Sequence, residues 1–125
     1  MNMFVAAASV AASSIPLPPA AGDNMVFELI ERHKEAMAAY SDGIRLAEMD
    51  HAGVEEEEEA HRLGDIADEA AVRLLLAKPS SIAGAFALLR YVTEYTAAGF
   101  SFPREIDHRD WSFFLHRNVV AALSA

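Results

Sequence analysis

Three residue pairs in this chain have the spacing of a helical metal site. Glu58-x-x-His61, Glu48-x-x-His51 and Glu105-x-x-His108 each set a carboxylate and an imidazole three positions apart. On an α-helix that spacing brings both side chains to one face. In ferritin-like bundles two such pairs, with a further Glu from each of two other helices, hold two metal ions. The first pair closes the run "VEEEEEAH", Val54 to His61, in which five consecutive glutamates precede the histidine. In an up-down bundle the end of the first helix, the start of the second, the end of the third and the start of the fourth share one layer. That layer would collect Glu48, His51, Glu58, His61, Glu94, Glu105 and His108, with Glu94 the candidate bridging carboxylate. A transition metal held by Glu48, His51, Glu58, His61 and Glu94 is one reading. The other is a solvated helix start whose acids match the positive end of the helix dipole. Twelve glutamates in the chain make chance Glu/His pairs common, and Pro103 interrupts the helix that Glu105 and His108 would need. Water also competes at a bundle end. The solvated reading is favoured, and no cofactor is assigned.

No other chemistry has a framework. There is no Gly-x-Ser-x-Gly, no phosphate loop, no dinucleotide glycine pattern and no His-Glu-x-x-His. With no cysteine, thiolate nucleophiles, thiolate metal sites and disulfides are excluded together. No catalytic residue is assigned. Ten Lys and Arg stand against 19 acids, for a net charge of −9, and they form no basic stripe. Binding to nucleic acid or to an anionic membrane needs such a stripe, so neither is expected.

The elements that would position these residues are all helices. Asp23 or Asn24 caps the first. Val26, Ile30, His33, Met37, Tyr40, Ile44, Ala47 and His51 then recur at steps of four and three, a heptad seam along one long helix. Gly43 weakens that helix. "DHAG", Asp50 to Gly53, reads as a turn with Gly53 just past the helix end. A second helix starts at Val54, with a small-residue seam of Ala60, Leu63, Ala67, Ala70, Leu74 and Ala77, and stops at Lys78 and Pro79. Ser80 or Ser81 caps a third, whose apolar face is read as Ile82, Ala85, Phe86, Leu89, Val92, Thr93 and Thr96, and Gly99 ends it. Phe100 to Ile106 reads as an extended connector. Asp107 or Asp110 caps a fourth helix, with Trp111, Phe114, Leu115, Val119 and Ala122 on one face and Asn118 inside the stripe. No strand pattern is found.

The expected fold is all-α: a long antiparallel hairpin plus two shorter helices, four-helix bundle-like, over residues 23–125. Residues 1–22, rich in Ala, Ser and Pro, read as an N-terminal arm. Pro16, Pro18 and Pro19 make that arm a poor membrane span, and its "MN" start lacks the basic residues of a signal peptide. A cytoplasmic protein is expected, with export, or a start at Met25, as alternatives.

The first hairpin is longer than the helices that should cover it. A homo-oligomer is therefore expected, a dimer first, with room for a further protein partner. Met37, Tyr40 and Ile44 on the seam, and Arg90 and Tyr91 on the third helix, are the candidate interface residues. Arg90 could instead pair with Glu94 one turn on. His33 and His51 read as buried seam histidines, and Asn118 as a buried polar residue that fixes register. Trp111, Phe113, Phe114, Phe100 and Phe102 read as a core plug in preference to a ligand-pocket wall.

"FELIERHKEAMAAY" (Phe27 to Tyr40), "PSSIAGAFALLRYVTEY" (Pro79 to Tyr95) and "WSFFLHRNVVAAL" (Trp111 to Leu123) resemble segments of a group of small uncharacterised bacterial proteins. These carry a long N-terminal helix, a P-T-T-L-A-G-x-x-A-L-L-R-Y helix and a closing W-x-x-x-L-x-R-N-x-A-x-A-L helix. The resemblance covers residues 23–125. Serines stand here where the group has threonines, which keeps the cap. The resemblance implies an all-helical fold and brings no activity with it.

Overall fold

A computed structural model of the protein describes residues 21–124, with side chains from Asn24 onward. The expectations for the N-terminal arm thus fall almost wholly outside the described residues. The fold is all-α. α1 (Ala21–Ala47) and α2 (Val54–Leu75) form the long hairpin. α3 (Ile82–Ala97) and α4 (Ser112–Leu123) pack on its inner half. Among the described residues, no helix is long and apolar enough to cross a membrane.

Val26 and Ile30 from α1, Ala71, Leu74 and Leu75 from α2, Ala85, Leu88 and Val92 from α3, and Leu115, Val119 and Ala122 from α4 meet in one core. Asn118 is buried in that core and donates its amide to the Leu76 carbonyl at 3.2 Å. This bond satisfies a carbonyl left over where α2 ends. Ser81 caps α3, its hydroxyl accepting from the Gly84 N–H at 3.2 Å. Gly99 closes the helix at φ +96°, a conformation glycine adopts without strain. There the Phe100 N–H donates to the Tyr95 carbonyl, and the Phe100 ring stacks on Tyr95 with centroids 5.1 Å apart. Together these make the hydrogen bond and the apolar clasp of a Schellman stop.

Four local expectations are corrected. α1 is already helical at Ala21 and ends at Ala47, so Asp23 and Asn24 lie inside its first turn and His51 lies in the following loop. Gly53 belongs to the next helix: it is the extended N-cap of α2, and its N–H donates to the Glu56 carboxylate at 2.6 Å. α2 itself ends at Leu75, ahead of Lys78.

The apolar face of α3 is rotated from the expected one. Ile82, Phe86, Thr93 and Thr96 are exposed, and the core side is Gly84, Ala85, Leu88 and Val92, flanked by Tyr91 and Tyr95. A periodicity count ranks tyrosine below phenylalanine, yet the tyrosine side is the one that can meet buried His33. Thr96 turns its hydroxyl back to the Val92 carbonyl at 3.0 Å, which suits an exposed position.

The expected connector folds back on itself. Glu105–Ile106 (β1) and Arg109–Asp110 (β2) pair antiparallel, Glu105 with Asp110 and Ile106 with Arg109. Asp107 and His108 form the turn, with φ of 52° and 63°. Positive φ at both central residues is the mark of the tight hairpin turn, and Asp and His tolerate it better than most side chains. Asp110 caps α4 from one residue outside, accepting from the Ser112 N–H at 3.1 Å and from its hydroxyl at 2.5 Å. These bonds hold the Asp110 carboxyl below the usual range.

Candidate functional site

The seam of α1 changes character half-way along. Val26 and His33 are 1% exposed and Ile30 7%, under the cover of α3 and α4. Past His33 the same stripe continues as Met37, Tyr40, Ile44 and Ala47, all only half-buried. Between α1 and α2 in this outer half runs an open groove of about 350 Å³, lined by Tyr40, Ile44, Ala47, Glu57, Ala60 and His61. Every lining residue comes from the hairpin.

The two helices approach closely at this level because each carries a glycine there. A Cβ built on Gly43 would lie 2.8 Å from Cδ1 of Leu63, and one on Gly64 would lie 3.0 Å from the Tyr40 ring. Gly43 is thus a packing position as well as a helix weakness, and Gly64 is a second such position that carries no signal in the heptad pattern. Leu63 and Tyr40 close over the two glycines, and the rest of the stripe stays open. Beyond it, Leu46, Met49 and Val54 are 51%, 59% and 69% exposed.

At the inner edge of the open face sits a closed aromatic cluster. His33 Nδ1 lies 2.6 Å from the Tyr91 hydroxyl. The rings of Tyr95 and Phe102 meet the imidazole at 4.9 and 5.6 Å between centroids, and Trp111 follows Phe102 at 5.1 Å. Burial lowers the His33 pKa and raises that of the Tyr91 phenol, since water is excluded from both charged forms. Neutral imidazole with its proton on Nε2 accepts the Tyr91 hydroxyl hydrogen at Nδ1. Of the expected aromatic plug, Phe102 lies in the core and Trp111 and Phe114 pack against it, whereas Phe100 and Phe113 are exposed.

The loop and the first turns of α2 form an acidic tip. From Leu46 to His61 there are seven acids, Glu48, Asp50 and Glu55 to Glu59, and no Lys or Arg, so this stretch carries −7 of the chain's −9. Glu56 caps its own helix, and Glu59 is gripped by Arg62 through bonds of 2.7 and 2.8 Å, which lower its pKa. The other acids of the tip face water.

The Glu and His pairs are dispersed. Only Glu58 and His61 share a helix. Glu48 and His51 lie in the loop after α1, and Glu105 and His108 lie on the β ribbon. Glu48 and His51 line one shallow depression at the tip, and His61 lines the groove beside Tyr40. Glu94 pairs with Arg90 on the surface of α3 at 3.4 Å. Among the described residues, no group of three or more His, Asp or Glu side chains is placed to hold a metal ion.

Of the interface candidates, Met37, Tyr40 and Ile44 lie together on the open stripe. Arg90 is exposed beside Glu94, and Tyr91 turns inward to His33. Comparison with protein-family models, curated proteins and solved structures finds no match.

Proposed function

We propose that this protein acts by association with a second copy of itself, through the open stripe on the outer half of the hairpin, and not by catalysis. The observation that carries the reading is the seam: one continuous heptad stripe, buried inward of His33 and only half-buried outward of it, where α2 alone lies against it. A two-helix hairpin cannot bury both sides of such a stripe, whereas two hairpins face to face make a four-helix layer that can. Burying the exposed remainder of Met37, Tyr40 and Ile44 contributes about 1 kcal/mol per side chain, repeated in each copy. A two-fold dimer is the closed assembly that uses one patch twice. Membership in the group of small bacterial helical proteins, and a cytoplasmic setting, belong to the same proposal.

Sedimentation equilibrium at micromolar concentration tests it. The wild-type chain is expected at twice its 13.6 kDa mass. Ile44→Glu, which puts a charge on the stripe without touching the inner core, is expected to give a helical monomer. A monomeric wild type refutes the proposal.

A further inference from the structure

One end of the bundle is apolar, exposed and almost uncharged, and the chain that precedes α1 joins the molecule there. We propose that this end is the docking surface for residues 1–20 of the same chain.

The topology brings four helix ends together. Leu29 and Arg32 of α1 line a groove with Ala70 and Arg73 of α2, so the start of α1 lies level with the end of α2. α3 begins at Ile82, after the short loop that follows α2. Tyr95 near the end of α3 and Trp111 at the start of α4 both meet Phe102, with centroids 4.7 and 5.1 Å away. From there α4 runs back along α3, and Asn118 half-way along it reaches the Leu76 carbonyl. The start of α1, the end of α2, the start of α3 and the end of α4 therefore form one base, opposite the acidic tip.

Apolar side chains stand out from this base. Met25, Leu76, Ile82, Phe86, Val120 and Leu123 are between 38% and 61% exposed. Charge is nearly absent around them. Lys78 is the only charged side chain from Leu76 to Leu89, and there is none from Asn118 to Ala125. In a chain of net charge −9 this end stays almost free of charge. Apolar surface gathered in this way marks an interaction site.

Charge, attachment and reach select the occupant. Residues 1–20 contain no Asp, Glu, Lys, Arg or His, and they carry Phe4, Val5, Val10 and Ile15. Such a segment gains by burial against an apolar surface and gains nothing from the acidic tip. α1 begins at Ala21, so the segment joins the molecule at the base itself. Fully extended, its length would be about 65 Å. Packed helices lie only about 8–10 Å apart, so α3 and α4 are within reach as well as α1. The tether holds the segment near the base at a roughly millimolar effective concentration, which favours it over a separate molecule at micromolar concentration. The base and the open stripe lie at opposite ends, so this proposal stands independently of self-association.

The absence of cysteine makes the contact directly readable. Ala8→Cys marks the segment, and Ala83→Cys marks the base at an exposed position between Ile82 and Phe86. Under mild oxidation the full-length double variant is expected to form the disulfide within one chain. Adding Phe4→Gln and Val10→Gln removes apolar surface without adding charge, and is expected to slow that link about ten-fold. An unchanged rate shows a segment that only passes by, and overturns the proposal. Absence of the link overturns it as well. Disulfide-linked dimers as the main product assign the base to a second copy and overturn it too.

Discussion

His33 and Tyr91 lie 58 positions apart in the chain and meet at 2.6 Å where α1 crosses α3. This bond sits where the covered half of the hairpin gives way to the open half. The imidazole is almost fully enclosed, so its charged form is disfavoured, and the folded-state pKa lies below the unfolded value.

Stability should therefore fall on acidification. With the folded pKa depressed, the unfolded chain binds more protons than the native one between the two pKa values, so unfolding becomes easier as pH falls. The contribution is fully present above the unfolded value of about 6.5 and is lost as pH drops through the folded value. Each unit of difference is worth about 1.4 kcal/mol. Urea titrations from pH 7.5 to 4.5 should show the loss, and His33→Phe should flatten it. The charged neighbours of the cluster are Lys34, 5.7 Å from the Tyr91 ring, with Glu31 acting on Tyr91 and Asp68 on Tyr95. An NMR titration placing His33 at or above 6.5 would contradict the account.

Tyr91→Phe removes the hydroxyl and leaves Nδ1 of His33 buried without its partner. The expected loss is about 1–3 kcal/mol, the usual cost of stranding a buried polar group. Chemical denaturation measures it. A neutral result would mean that water replaces the hydroxyl.

Asn118→Leu strands the Leu76 carbonyl at the end of α2. A loss of about 1–3 kcal/mol is expected, with the subunit count unchanged, because the site lies at the far end of the molecule from the open stripe. A changed subunit count would place register control in the wrong pair of helices.

Ser81→Ala should cost about 1 kcal/mol through loss of the α3 cap, and Ser81→Thr should restore most of it. Thermal melts of the three proteins decide this.

Much of the fold can be read from the sequence because local signals and tertiary packing agree. The α1 stripe is periodic, Ser81 sits where a cap is needed, Gly99 supplies the left-handed stop, and Asn118 stands alone in an apolar row. Where the reading fails, the deciding interaction is distant or reciprocal. The face of α3 depends on His33, far off in the chain, which draws Tyr91 and Tyr95 inward and leaves Phe86 outside. The β ribbon rests on a turn of Asp107 and His108, residues that tolerate positive φ without announcing it as Asn-Gly would. Gly53 resembles a helix stop until the Glu56 carboxylate claims its N–H. The open stripe is legible as periodicity. Its lack of cover follows only from where α3 ends and the chain turns back.

The most direct test of self-association is a native mass spectrum of freshly purified, untagged protein, which reports subunit count and any bound metal together. The account predicts a dimer of the 13.6 kDa chain without a metal increment. A monomer would contradict it, and a dimer carrying one or two metal ions per chain would return the Glu48, His51, Glu58 and His61 set to the centre of the protein's chemistry.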